Sequence, residues 1–287
     1  MRYHRGMRKG DITFVLFTLN EEKRIEYPLR CFSGYGDIMV IDNWSTDKTI
    51  EIAKKYTPLV FQRDKIPFTE SEEGVDYVFA RAKTNWFYWG YADELLPRPL
   101  VEKMAEISQQ DAYKVTWVRR KNYNYGGVNL DNRTALRFFK KGAIDFSGNQ
   151  IGRFGKIVVP PEQIFTFPKA DAYSIHHFST YDIVKFEQGH SRYSTEEARA
   201  YIRLGRHFSG LRLIGRPVYF FLRFMIVGGA WRWGWRGLII TAQYCFYFFN
   251  IEAKMWELEH GVTLESMERD YDKMKENLLE KYGNRNE

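Results

Sequence analysis

The chain has 287 residues, 44% hydrophobic and 17% aromatic, enough for one large domain or a domain with an appendage, and this excludes a disordered polymer. Its net charge of +7 is unevenly spread: Arg192, Arg199, Arg203, Arg206, Arg212, Arg216, Arg223, Arg232 and Arg236 stand against only Glu196 and Glu197, so an anionic partner is expected there. Cys31 and Cys245 make neither a disulfide framework nor a metal spacing and fit a reducing cytosol; the basic Met1–Gly10 lacks the apolar core of a signal peptide, so export is not expected.

Asp11–Leu19 is an apolar run of strand length ending at Asn20-Glu21-Glu22, and a helix of about two turns is expected to follow, as far as Cys31. Asp37–Asp42 reads as a second strand that again ends on an acid. Ser45, Thr46 and Asp47 offer N-caps for a helix Lys48–Tyr56. Leu59–Phe61 is a short third strand, and Glu70–Lys83 suits a helix. The run Trp86-Phe87-Tyr88-Trp89-Gly90-Tyr91 is a fourth strand, apolar on both faces as in a covered parallel sheet, and it delivers Ala92, Asp93 and Glu94 to its end. Pro97 and Pro99 start another helix, to about Gln110.

This alternation predicts a parallel sheet with right-handed crossovers. Residues 112–120 and 134–140 alternate like half-exposed strands around a Gly126-Gly127 turn, so 111–175 is expected to extend the sheet in mixed sense and close one side of a cleft. From Ser194 the pattern turns helical, with Arg199, Arg203 and Arg206 at i, i+4 and i+7 on one positive face. Residues 217–249 hold two apolar runs of about ten and thirteen residues, each shorter than the ~20 of a spanning helix. They are split by Gly228-Gly229 and by Trp231, Trp233 and Trp235 beside Arg232 and Arg236, the chemistry of a membrane interface. A membrane-surface or re-entrant element is expected; packed core helices are the alternative. Residues 251–287 read as a charged, solvated amphipathic helix.

Three strand ends carry polar groups: Thr18, Asn20 and Glu21; Asp42 and Asn43; Asp93 and Glu94. In a parallel sheet such ends share one edge, where open α/β folds bind ligands. Singly, an acid after a strand is more often a helix cap. Together they suit a ribose or base contact, a hard cation and a diphosphate.

The segments Phe14–Arg24 (FVLFTLNEEKR), Ile38–Thr49 (IMVIDNWSTDKT), Trp86–Leu95 (WFYWGYADEL) and Phe221–Lys254 resemble the family 2 glycosyltransferases, and in particular bacterial enzymes that add sugars to lipopolysaccharide core and other surface glycans. The resemblance implies a GT-A, Rossmann-like α/β fold: a mixed, mostly parallel sheet flanked by helices in residues 1–190, with a helical, membrane-associating extension in 191–287. It also implies an inverting transfer from a nucleoside-diphosphate sugar, expected to be a UDP-sugar, assisted by Mn²⁺ or Mg²⁺. Carried over by position, Thr18, Asn20, Glu21, Asp42 and Asn43 would face base and ribose, Arg81 and Ala92 would lie along the nucleotide-sugar, and Asp93 would bind the metal.

Two positions depart from the family pattern. Tyr91 replaces the first acid of D-x-D. Near Gly148-Asn149-Gln150, where relatives often carry His-Glu, amides stand, and an amide cannot take a proton. Asp145 is then the nearest candidate base, with Glu94 and Glu162 as others. His177, in the His176-His177 pair after a strand-like AYSI, resembles the histidine that precedes the helical tail in relatives; a neutral imidazole there would complete the metal shell or contact a phosphate. Arg199, Arg203 and Arg206 are candidates for acceptor phosphate or lipid head groups, and Trp231, Trp233 and Trp235 for the bilayer. The expectation is a cytoplasmic enzyme, peripheral on the inner face of the membrane, acting on a glycan or lipid-linked acceptor at an anionic surface. An oligomer is left open. The rival is a catalytically impaired nucleotide-sugar-binding protein on the same fold. Nucleic acid is not an expected partner, because aromatics cluster with the apolar runs instead of alternating with basic residues along a groove.

Overall fold

Alternation of large apolar residues on both faces of the strands builds the sheet. The computed structural model describes residues 10–64, 69–127, 130, 133–149 and 154–283. In chain order it runs β1 (Ile12–Thr18), α1 (Glu26–Phe32), β2 (Asp37–Asp42), α2 (Thr49–Lys54), β3 (Val60–Gln62), α3 (Glu72–Phe79), β4 (Trp86–Tyr91), β5 (Glu94–Leu95) and α4 (Arg98–Ser108). There follow β6 (Val115–Asn124), β7 (Thr134–Lys140), β8 (Ile144–Asp145), β9 (Lys156–Ile157), β10 (Ile164–Thr166) and β11 (Ser174–Thr180). The rest is helical: α5 (Ile183–Arg203), α6 (Gly210–Leu222), α7 (Trp235–Glu259) and α8 (Leu264–Tyr282).

The main sheet has the order β3-β2-β1-β4-β7-β6-β11-β5, and β10 also pairs with β6. β3, β2, β1 and β4 are parallel; β7 then runs antiparallel to both β4 and β6. Phe14, Leu16, Val40, Trp86 and Tyr88 pack on one face with Leu29 and Phe32 of α1 and Leu100 and Met104 of α4. Val15, Met39, Ile41, Phe87 and Trp89 pack on the other with Val75 and Val78 of α3. Helices thus cover both faces, as the apolar runs require. Phe14 stacks on Phe32 at 4.3 Å and Trp86 on Phe138 at 4.6 Å.

The expected mixed α/β sheet is present, and 134–140 is a strand as expected. The helical tail differs in three ways. First, α5 begins at Ile183, not Ser194, because Asp182 caps it by accepting from Lys185 N. Residues 190 and 191, the expected division, therefore lie inside one helix. Second, α5 ends at Arg203, so Arg206 stands beyond the helix and does not extend its face. Third, the apolar region is a hairpin: α6, a π-turn at Arg223–Val227, a 3-10 turn at Ala230–Trp233, then α7. Gly237 is essential to its tip, since a Cβ there would sit 1.9 Å from the Ala230 carbonyl oxygen. Among the described residues no helix is long and apolar enough to cross a membrane.

Candidate active site

The ends of β1 and β2 are tied together by short polar side chains. Asp42 is fully buried and accepts from Thr18 Oγ1 at 2.9 Å, Ser45 N at 2.8 Å and Ser45 Oγ at 2.5 Å. Asn20, at φ +55°, donates from its backbone N to Ser45 Oγ (2.7 Å) and accepts from Thr46 N (2.8 Å). Glu21 N donates to Thr49 Oγ1, Glu22 N to Asp47 Oδ2 and Asn43 N to the Thr18 carbonyl. The NEE and DNWSTDKT motifs are therefore two halves of one laced rim. In it Asp42 and Thr18 act as fasteners from beneath, while Asn20, Glu22 and Asp47 line a cleft.

The opposite wall is the turn after β4. β5 pairs antiparallel with β11, setting His177 across from Glu94, and Phe178 N donates to the Asp93 carbonyl at 2.9 Å. His177 Nε2 lies 3.2 Å from Asp93 Oδ2, while Asp93 Oδ1 is buried with no hydrogen-bond partner. Burial pushes the Asp93 carboxyl up, but His177, Arg120 and Arg24 outweigh it and hold the group below the usual carboxylate range. Asn122 Oδ1 lies 2.8 Å from His177 Nδ1. An amide oxygen only accepts, so Nδ1 carries the hydrogen; Nε2 can then either donate a second hydrogen to Asp93 or, where a cation takes that hydrogen's place, offer it a lone pair.

Asp93 and His177 thus present one unpartnered carboxylate oxygen and one imidazole nitrogen, oriented from behind by Asn122. These groups fit a divalent cation that draws its remaining ligands from substrate phosphates and water. Among the described residues no cluster of three His, Cys, Asp or Glu gathers to enclose an ion, as such a shared site allows.

The cleft encloses about 670 Å³ and is lined by Asn20, Glu22, Lys23, Arg24, Tyr27 and Asp47 on one side and by Ala92 to Leu95, Phe178 and Tyr181 on the other. Asn20 and Asp93, far apart in sequence, do share it. Arg81 follows α3 on the other face of the sheet, stacked 3.5 Å over the Tyr77 ring and donating to the Tyr77 carbonyl. Tyr91, in the position of the first acid, turns away from the cleft; its hydroxyl bonds Glu70 Oε1 at 2.9 Å and Thr69 Oγ1 at 2.7 Å, with Arg137 over its ring.

Several expected roles need correction. Glu94 is not a general base: it is buried, its Oε1 held by Arg120 Nε at 2.9 Å and its Oε2 by the Tyr88 hydroxyl at 2.7 Å and Tyr91 N. Burial raises its carboxyl, and Arg120 and Arg137 more than compensate, so it stays ionised as the anchor of the turn. Asp145 is not at the cleft. Because β7 is antiparallel to β4, its last residue, Lys140, lies beside Trp86 at the start of β4. Asp145 follows a few residues later, exposed between inward-facing Ile144 and Phe146, its carboxylate accepting from Ser147 N at 2.9 Å. Glu162 is likewise exposed, just before β10, which joins β6 at Val115, the same distant edge. Gln150 lies outside the described residues.

Arg199 pairs with Glu196 at 2.9 Å, so its charge is partly answered within α5. Arg203 is exposed at the end of α5, and Arg206 stacks on Tyr201. Trp231 and Trp235 project into solvent, whereas Trp233 also covers the β6–β7 turn, where a Cβ on Gly127 would meet its ring at 2.9 Å. Arg120, Asn122, Tyr181 and Lys185 were not singled out from the sequence. Their link to the site is the β6–β11 pairing and the start of α5, which no local motif announces.

A family model described as glycosyl transferase family 2 matches residues 13–169. The chain is 25% identical over 260 residues to a lipopolysaccharide core biosynthesis glycosyltransferase, LpsC, of Rhizobium meliloti, covering 87% of this chain and 93% of that one. It is 23% identical to an uncharacterized glycosyltransferase of Rickettsia bellii, covering 86% of each. Among solved structures it is similar to the mannosyltransferase PcManGT of Pyrobaculum calidifontis in complex with GDP-Man and Mn²⁺, at TM-score 0.52 and 12% identity, over 87% of this chain and 88% of that one. That likeness is one of fold, a GT-A-like mixed α/β architecture.

Proposed function

The chain belongs to glycosyl transferase family 2, and from that premise we propose that it is an inverting transferase moving a sugar from a nucleoside-diphosphate sugar, with uridine the expected base, to a surface glycan or its lipid-linked precursor. The observation that carries this reading is Asp93: an ionised carboxylate, delivered by a rigid strand to the wall of a cleft, with one buried oxygen left without a partner. PcManGT, the structural relative, holds a nucleotide sugar and Mn²⁺, and LpsC is named for lipopolysaccharide core synthesis, which supports the donor and acceptor classes.

A divalent cation held by Asp93 and His177 would supply the charge stabilisation that a departing nucleoside diphosphate needs. The chain's own groups prepare for it. Asn122 fixes the His177 tautomer. Glu94, Arg120 and Tyr88 lock the turn that carries Asp93, and the laced β1–β2 rim presents Asn20 and Glu22 opposite. The transferase would work at an anionic membrane surface, at the cytoplasmic face. Support comes from the α6–α7 hairpin, whose Leu211, Ile214, Val218, Ile226, Val227, Trp231 and Trp235 are exposed among arginines.

The test is a thermal-shift panel of nucleoside diphosphates and their sugars with Mn²⁺ and Mg²⁺, followed by a sugar-release assay with the best donor. A true donor raises the melting temperature by mass action and only with metal. No stabilisation by any nucleotide would remove the reading. Stabilisation without sugar release under either metal would favour the impaired binding protein, the alternative for which Tyr91 in place of an acid speaks.

A further inference from the structure

Three rings line the cleft and stay in water: Tyr27 is 56% exposed, Phe178 41% and Tyr181 51%. Single exposed aromatics are ordinary, but Tyr27 on one side and Phe178, Tyr181 and Leu95 on the other line the same cleft, and a ligand with apolar faces would cover them favourably. Two cations converge on the Tyr181 ring. Arg24 Cζ lies 5.1 Å and Lys185 Nζ 5.3 Å from the Tyr181 centroid. Arg24 uses its Nε on Glu21. Among the described residues no carboxylate hydrogen-bonds the Lys185 ammonium, and partial burial together with repulsion from Arg24 outweighs the more distant Glu21, Asp93 and Asp182 and holds it below the ordinary lysine range. A cation held against a like charge, beside exposed rings, gains most from an anion that carries an apolar face.

Given the transferase reading, on which this rests, we propose that the part of the cleft between Tyr27 and the Phe178 and Tyr181 rings is the acceptor subsite and that Arg24 and Lys185 select an acceptor sugar bearing an anionic group, a phosphate or a carboxylate. The sugar's C–H face lies on the rings and its anion between the two cations. The donor diphosphate is the other anion that could reach them. Its place is at Asp93 and His177, at the turn after β4, and the laced rim that joins the ends of β1 and β2 is the side left for the nucleoside. Tyr181 and Lys185 instead lie at the β11–α5 junction, and Tyr27 on α1.

The proposal is tested on the full chain by calorimetric titration at low salt. UDP with Mn²⁺ serves as the donor-side probe; mannose 6-phosphate, glucuronate and neutral mannose serve as acceptor-side probes. The wild type is expected to bind both anionic sugars at least tenfold more tightly than mannose. Lys185→Met removes that preference and leaves UDP–Mn²⁺ affinity within twofold, while Lys185→Arg restores the preference. Tyr181→Ala weakens all three sugars and spares UDP. Equal binding of mannose and its phosphate, or no binding of either anionic sugar, overturns the proposal. So does an equal loss of UDP–Mn²⁺ affinity in Lys185→Met, which would assign the cations to the donor. Anionic sugars bound as expected by a wild type that ignores UDP would instead strike the donor reading.

Discussion

Asp93 and His177 meet across the seam between β5 and β11, Oδ2 to Nε2 at 3.2 Å, and Asn122 steers the imidazole from behind. Asp93→Asn keeps the shape and removes the charge, so on the proposed function turnover is expected to fall by at least a hundredfold, since that charge would both hold the metal and serve the leaving group (~2.7 kcal/mol or more). Asn122→Ala leaves both metal-facing groups in place but frees the ring. It is expected to weaken Mn²⁺ affinity about 10- to 100-fold. Mn²⁺ titrations of activity and of thermal stability read both; an Asn122→Ala protein with unchanged metal dependence would mean that His177 plays no part.

Glu94 stands next in the chain to Asp93, yet its work is internal. With the carboxylate wholly buried and Arg120 partly so, Glu94→Gln leaves the guanidinium without its counter-charge. The expected loss is about 3 kcal/mol of stability, the low end for a broken buried pair because Arg120 keeps some contact with water. Denaturant unfolding measures it. Below its melting temperature the variant should retain substantial turnover, an outcome a general base would not permit.

The same pair sets an acid sensitivity. Asp93 and Glu94 both carry folded pKa values below the ordinary carboxylate values, near 4 in the unfolded chain. Their stabilisation is therefore fully present above that pH and lost as pH falls through the depressed folded values. Glu21, raised by burial against its Arg24 partner, contributes in the opposite sense, favouring the fold below about pH 4.3 and losing that contribution as pH rises through its folded value. Comparing wild type with Glu94→Gln isolates one group: the variant's stability should fall less steeply on acidification below about pH 4. Parallel acid limbs in the two proteins would refute the assignment.

Gly90 makes the Glu94 anchor reachable. Tyr88 lies flat along β4 so that its hydroxyl meets Glu94, and a Cβ at residue 90 would stand 2.2 Å from Tyr88 Cε1. The ring cannot step aside, because Phe14 and Phe32 box it in at 6.2 and 5.4 Å. Gly90→Ala is expected to cost roughly 1–3 kcal/mol by overpacking and to loosen the turn that holds Asp93. Melting temperature and Mn²⁺ affinity should fall together; a drop in the first alone would uncouple the strand from the site.

Legibility in the sequence followed locality. The apolar strands up to Tyr91 and their polar ends could be read directly, because each signal is a short run with a fixed period. Glu94 misled because adjacency to Asp93 says nothing about which side of a two-residue strand an acid takes. Asp145 misled for a topological reason: a reversed β7 carries the chain to the far edge of the sheet, and no residue in 134–145 encodes that direction. Arg120 and Asn122 were invisible because their partners, Glu94 and His177, are reached only through long-range pairing. The tail's chemistry was legible, but the start of α5 at Asp182 was not, since a single cap outweighed the weak pattern before Ser194.

The last expectation concerns that tail. α6 has no buried residue, and Leu211 and Val227 are 88% and 83% exposed. Between residues 198 and 251 the chain carries no acid, while arginines recur through Arg236. If the face meets a bilayer as proposed, it would do so by apolar insertion plus attraction to anionic lipid, about 1 kcal/mol per arginine near the surface. Vesicles containing phosphatidylglycerol should float the protein at low salt and release most of it as ionic strength rises. Replacing Trp231 and Trp235 by serine should abolish flotation without unfolding the chain, because both project into solvent; Trp233 is kept, since it covers Gly127. Failure of the wild type to float at any salt, alongside full turnover on a soluble acceptor, would show that the face covers protein and not lipid.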